Sequence, residues 1–161
     1  MGLGADLLSV ARQLAVGGGN ALSQAMLRRS VSTVYYGLFH LLLEDVGQRW
    51  QGSAAAKTGL ERALNHGTMK TSSLAFDHPS WTDWHGLPHA VPQALRRVAR
   101  TFIELQARRL EADYNNSREW SATDVEDVLR AAEAAFEDWH SVRTHPLAGD
   151  YLLSMLIGKP R

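Results

Sequence analysis

The chain contains no cysteine, which excludes disulfides, thiolate zinc sites and cysteine nucleophiles and fits a reducing compartment. It carries no net charge, so no overall field draws it toward nucleic acid or an anionic membrane. No apolar run approaches the length of a bilayer span; the longest near the end, Tyr151 to Ile157, is far too short. The opening residues MGLGADLLSVARQLAV lack a basic leader with a long apolar core, and the expectation is a cytoplasmic protein without a secretory signal or membrane association. Sustained strand alternation with hairpin turns is missing too. With 161 residues, 45% of them hydrophobic and 21% charged, the chain is the size of one globular domain able to bury a core.

What is present is helical periodicity. A first helix is expected over about Ala5 to Val16, ended by Gly17, Gly18 and Gly19. A long second helix starts after Asn20, a favourable N-cap, and runs to about Asp45, before Gly47. A third covers about Ser53 to His66, with Gly67 just past its end. Residues 71–92 hold three of the five prolines and two of the five tryptophans and read as a connecting loop. The fourth helix runs from about Val91 to Tyr114. The fifth starts at Ser121, where Ser121 and Thr123 offer caps and Asp124 and Glu126 favour the first turn, and ends near Arg143, with Pro146 closing it. A short apolar tail occupies 147–161. The expected fold is therefore all-α, an up-and-down bundle of four to five long helices, in a single domain with its core over about 5–143.

Arginine dominates the cations: Lys57, Lys70 and Lys159 are the only lysines among seventeen basic residues. Arg96, Arg97, Arg100, Arg108 and Arg109 fall in one segment, and Asp124, Glu126, Asp127, Glu133, Glu137 and Asp138 in the next. Arginine suits bidentate phosphate contact, although neighbouring helices that neutralise each other give the same pattern. In the fourth helix Val91, Leu95, Val98, Phe102 and Leu105 form an apolar seam. Continuing that seam brings Arg109 and Ala112 onto the core face, where a charge needs a partner. Asp113 lies one turn beyond Arg109, at pairing distance.

Three groups could carry chemistry. Arg29, Thr33, Tyr36 and His40 share one face of the second helix, bordered by Leu22, Met26 and Leu43. Such a stripe lines a cleft or serves as satisfied polar groups that fix helix register. Arg62 and His66 are four apart, which places both on one face of the third helix. Histidine shuttles protons near neutral pH and arginine holds phosphate, a pair suited to phosphodiester cleavage. The structural alternative makes His66–Gly67 a helix C-terminus with the imidazole near the last carbonyls. For metals, His85 and His89 are four apart but separated by Gly86 and Pro88, and Glu137 and His140 form one Glu-x-x-His where di-iron bundles need two. A site joining His40, His85 and His89 is the remaining metal reading; no metal or cofactor is expected.

The run Ser32-Thr33-Val34-Tyr35-Tyr36-Gly37-Leu38-Phe39-His40 resembles the paired-tyrosine helix of HEPN proteins (higher eukaryotes and prokaryotes nucleotide-binding). Leu105 to Tyr114, with Arg109, Ala112, Asp113 and Tyr114, resembles their Arg-x-x-Ala-Asp-Tyr helix end. Leu60 to Gly67 resembles the short third-helix motif of one bacterial branch. The match spans about Asn20 to Arg143. The resemblance implies a four- or five-helix bundle that forms a homodimer and acts on RNA or a nucleotide. It also implies a toxin–antitoxin or defence setting, with a minimal nucleotidyltransferase as a neighbouring partner. Many such proteins are metal-independent endoribonucleases, with four to six residues standing between an arginine and a histidine at a dimer cleft. Here three residues separate Arg62 from His66. On this resemblance Arg62 and His66 are the candidate catalytic pair, and Arg29, Tyr36, His40, Arg109, Asp113 and Tyr114 line the cleft. The competing reading is a non-catalytic interaction or assembly bundle.

Overall fold

Amide-to-carbonyl bonding places most of the described residues in helices. The computed structural model describes residues 2–16, 23–50 and 52–158. Seven helices occur among them: α1 (Leu3–Val16), α2 (Gln24–Arg49), α3 (Ala54–Ala63), α4 (His66–Phe76), α5 (Gln93–Tyr114), α6 (Ala122–Val142) and α7 (Pro146–Ile157), with one small antiparallel hairpin, β1 (Ser80–Thr82) and β2 (Pro88–Ala90). None of these helices is long and apolar enough to cross a membrane. The expected roles of Gly17, Gly18, Gly19, Asn20 and Leu22 lie outside the described residues.

Helix α2 is the axis of the fold. Its face of Leu27, Val31, Val34, Leu38, Leu42 and Val46 is buried, and α1, α5 and α6 pack around it. The Ser30 hydroxyl donates to the Ala11 carbonyl at 2.7 Å, while Gly4 lies against Gly37 and Leu41, so α1 runs antiparallel to α2. Ser32 meets Asp113 and Tyr36 meets Arg109, which sets α5 antiparallel to α2 as well. The seam expected on α5 is the observed one: Leu95, Val98, Phe102, Leu105 and Ala112 are all buried. On α6 the Ser121 hydroxyl accepts from the Asp124 amide at 3.1 Å and the Asp124 carboxylate accepts from the Ser121 amide at 2.9 Å, the reciprocal cap that the sequence suggests.

Four expectations need correction. Helix α2 starts at Gln24, capped by Ser23, and passes through Gly47 to end at Arg49. The third helix is two helices. Leu64 is extended and buried, and Asn65 caps a new helix by accepting from the Thr68 amide at 2.8 Å. The N-cap preference of asparagine decides here, and Gly67 does not terminate a helix. Residues 71–92 are not one loop: the end of α4 and the hairpin occupy them, and Phe76 stacks on Trp81 at 4.8 Å. Nor is the described part of the expected apolar tail without structure, since Pro146–Ile157 form α7. Pro146 opens α7 at its first turn, a position that needs no amide hydrogen, and Leu147, Tyr151, Leu152 and Met155 are buried. The chain itself covers this segment, so its hydrophobicity requires no second subunit.

Helix α7 is anchored on α4 by a buried hydroxyl relay. Ser73 donates its one proton to the Met69 carbonyl, so Tyr151 must donate to Ser73 Oγ, at 2.7 Å. Burial holds the Tyr151 hydroxyl well above the usual phenol range, keeping it a donor at any physiological pH.

Candidate functional site

The start of α4 is placed beneath the paired tyrosines of α2. Tyr35, in the core, reaches His66 with its hydroxyl 2.5 Å from Nδ1. Tyr36, half-buried, sits edge-on to Tyr35 with ring centres 5.3 Å apart. Phe39 closes the other side of the imidazole at 5.0 Å. From α5 the Arg109 guanidinium lies 5.1 Å from the Tyr35 ring and 5.8 Å from the Tyr36 ring, inside the range in which ring quadrupoles attract a cation. It donates to the Tyr36 hydroxyl at 3.3 Å. One turn below His66, as α5 passes, the Gln106 amide donates to the His66 carbonyl at 3.1 Å. Helices α2 and α5, remote in sequence, therefore both meet His66 at the start of α4, the first at its ring and the second at its carbonyl.

Arg109 is the charge of the site, and its side chain is only 12% exposed. Its expected partner Asp113 is 3.8 Å away and 29% exposed, a long and open contact worth under about 1 kcal/mol. The Ser32 hydroxyl donates to the same carboxylate at 3.4 Å. Arg109 Nε and Gln106 Oε1 are buried without a hydrogen-bond partner among the described residues. Burial, aided by the neighbouring Arg109 charge, lowers the His66 pKa below the ordinary histidine value. Burial raises Tyr35 well above the phenol range. At neutral pH the site thus combines a neutral imidazole, a neutral phenol and a poorly compensated guanidinium.

The remaining candidates stand apart. Arg62 is exposed near the end of α3, while His66 opens α4. The break at Leu64–Asn65 removes the single helix face on which both were expected to project. His66 is consequently at a helix start, not near C-terminal carbonyls. Arg29 is exposed, and its backbone carbonyl accepts from the Thr33 hydroxyl at 2.7 Å. His40 is half-buried against Phe39 at 5.3 Å. Burial lowers its pKa, against the opposing influence of Glu44 and Glu61. Of the α2 stripe, only Tyr36 reaches the site. Tyr114 is 73% exposed at the end of α5. His89 is bonded to Asp83 at 2.6 Å, and that bond, with the Leu87 and His85 amides, holds Asp83 down to about 2. No group of three or more metal-ligating side chains occurs among the described residues; His40, His85 and His89 do not assemble.

Tyr35 and Phe39 belong to the run that resembles a paired-tyrosine helix but are not among the expected site residues, and neither is Gln106. A signal existed for Gln106, which interrupts the seam of Ala99, Phe102 and Ala112 with a polar group where only a specific partner tolerates one. Arg28, next to the candidate Arg29, escapes notice in the same way. It donates to the carbonyls of Ala112, Asn115 and Arg118, closing the C-terminal end of α5 as a cation there should. Compared with protein-family models, curated proteins and solved structures, the chain matches none.

Proposed function

We propose that the protein is an HEPN-like, RNA- or nucleotide-directed domain whose working site is His66 with Arg109, framed by Tyr36 and Asp113. The observation that carries this reading is that His66 and Arg109, forty-three positions apart in sequence, both lie against the rings of Tyr35 and Tyr36. A guanidinium held on aromatic faces, with only a distant carboxylate for compensation, suits a phosphate oxygen. A half-buried imidazole beside it adds a hydrogen bond to the same group. Metal-independent RNA cleavage in a toxin–antitoxin or defence setting, beside a nucleotidyltransferase-type partner, is the activity this arrangement would serve.

The second reading is a non-catalytic binding or assembly module. It is favoured by the separation of Arg62 from His66, which leaves the imidazole without the nearby arginine on its own helix. The two readings share the phosphate contact and differ in turnover. Labelled single-stranded RNA should bind the purified protein in EDTA, with affinity falling as salt rises. Arg109→Met should weaken binding by about tenfold, the equivalent of one charge-assisted hydrogen bond. Cleavage in EDTA of RNA but not of DNA of the same sequence would select the nuclease, because only RNA carries the 2′-hydroxyl nucleophile. Binding without cleavage selects the module, and neither binding nor cleavage sinks both.

A homodimer belongs to the same proposal. Leu110 and Tyr114, one turn apart on α5 and next to Asp113, are 41% and 73% exposed. A second copy seated there would border the site. Light scattering should then give about twice the 17.8 kDa chain mass, returning to the single mass in Leu110→Glu.

A further inference from the structure

The hydroxyl of Tyr35 has one proton, and the geometry dictates where it goes. Tyr35 is fully buried, and its oxygen lies 2.5 Å from His66 Nδ1, the one hydrogen-bond partner it has among the described residues. If Nδ1 were protonated, the imidazole would donate to the phenol and the tyrosine proton would be left buried without an acceptor. If Nδ1 is bare, the phenol donates to it and both groups are satisfied. The neutral imidazole must then carry its proton on Nε2, which has no hydrogen-bond partner among the described residues. We propose that Tyr35 is a positioning residue that fixes His66 in the Nε2–H form, so that the ring offers a hydrogen-bond donor, and no base, to a phosphate oxygen held beside Arg109. The proposal rests on the phosphate-directed reading above for its ligand, though not for the tautomer.

The charged and titratable groups facing the ring agree with this assignment. From α2 come Tyr35 and Tyr36, both phenols; from α5 comes Arg109, with Asp113 behind it. Arg109 opposes a second proton on the imidazole, and burial keeps the Tyr35 proton in place. Arg109 already donates to the Tyr36 oxygen, which leaves the Tyr36 proton to point elsewhere. The polar hydrogens of His66, Arg109 and Tyr36 all require acceptors. A phosphodiester supplies acceptors alone, whereas a 2′-hydroxyl that must surrender a proton finds no free lone pair on His66, so in this form His66 holds the phosphate and RNA cleavage would need its base from another group.

The test uses the full chain labelled with nitrogen-15 and free of ligand at pH 7. Long-range proton–nitrogen spectra report which ring nitrogen of His66 bears hydrogen. Wild type should show Nε2 protonated and Nδ1 bare, the preferred form exceeding the other by at least about tenfold, as one net hydrogen bond supports. Tyr35→Phe keeps the ring and removes the donor. It should make the Nδ1–H form detectable and raise the His66 titration midpoint, because a bond that favours the neutral form is lost. A merely space-filling Tyr35 would leave both readouts unchanged, and that result overturns the proposal. So does an Nδ1–H imidazole in wild type, which decides the matter even where Tyr35→Phe fails to fold. Because no ligand is present, a failure to bind RNA leaves this assignment standing. An overturned tautomer, equally, does not remove RNA binding.

Discussion

Replacing Asp45 by alanine should destabilise the protein by about 3 kcal/mol, toward the lower end of what breaking a buried ion pair costs. Asp45 is buried near the end of α2, where it receives the Trp139 indole N–H at 2.6 Å and the Arg143 Nε at 3.1 Å. A second bond comes from the Arg143 terminal nitrogen. Truncation strands the indole donor in the core, since Trp139 is fully buried. Arg143 suffers less, because its side chain is 39% exposed and can turn to water, which keeps the expected loss at the lower end. For a chain of this size the loss corresponds to a melting point about 6–12 °C lower. Asp45→Asn keeps an acceptor for the indole and should lose distinctly less. Urea titrations of the three proteins check this, and a loss under about 1 kcal/mol in Asp45→Ala would show that the network adds little.

Alanine substitutions at three helical glycines should give opposite signs. A Cβ at Gly4 would stand 2.7 Å from the Gly37 carbonyl oxygen and 2.9 Å from the Leu41 amide nitrogen. Both are backbone atoms, so α1 must lift from α2, at a cost of about 1–3 kcal/mol. At Gly37 the nearest atom is the end of the Leu8 side chain, at 2.8 Å, with the Gly4 carbonyl at 3.2 Å. Leu8 can rotate away, so Gly37→Ala should cost less. Gly59, on α3, has nothing within 4 Å, and alanine there should stabilise by about 0.5–1 kcal/mol through helix propensity alone. Thermal melts of the three variants test the order. A Gly4→Ala protein as stable as wild type would mean that α1 does not pack on α2 this closely.

Residue patterns determined the helical class, the seam of α5 and the reciprocal cap of α6, because each depends on neighbours within a few positions. Val98, Phe102 and Leu105 recur at the helical period, and Ser121 and Asp124 are three apart; nothing distant needs to be known. Pairing of Arg109 with Asp113 follows from the same local rule. Pattern and structure part where two local signals compete. Asn65 as a helix start and Gly67 as a helix end are both legitimate readings of Asn-His-Gly, and the burial of Leu64 tips the balance toward a start. That choice depends on packing, which periodicity cannot supply. It also decides the site, because it takes His66 away from Arg62 and delivers it to Tyr35 and Arg109.

Helix α7 was hidden for a related reason: the mostly apolar run from Tyr151 to Ile157 gives little amphipathic contrast, and its partners Ser73 and Phe76 lie far back in the chain. An acid on the core face of α2, Asp45, was visible one turn after Leu42. Its meaning required Trp139 and Arg143, nearly a hundred positions on. The sequence by itself thus determined the helical class of the structure and the contacts between near neighbours on one helix. Tertiary structure alone decided that His66, Arg109 and the paired tyrosines lie side by side, since hydrogen bonds and charge interactions fall off within a few ångströms and only folding brings those atoms that close.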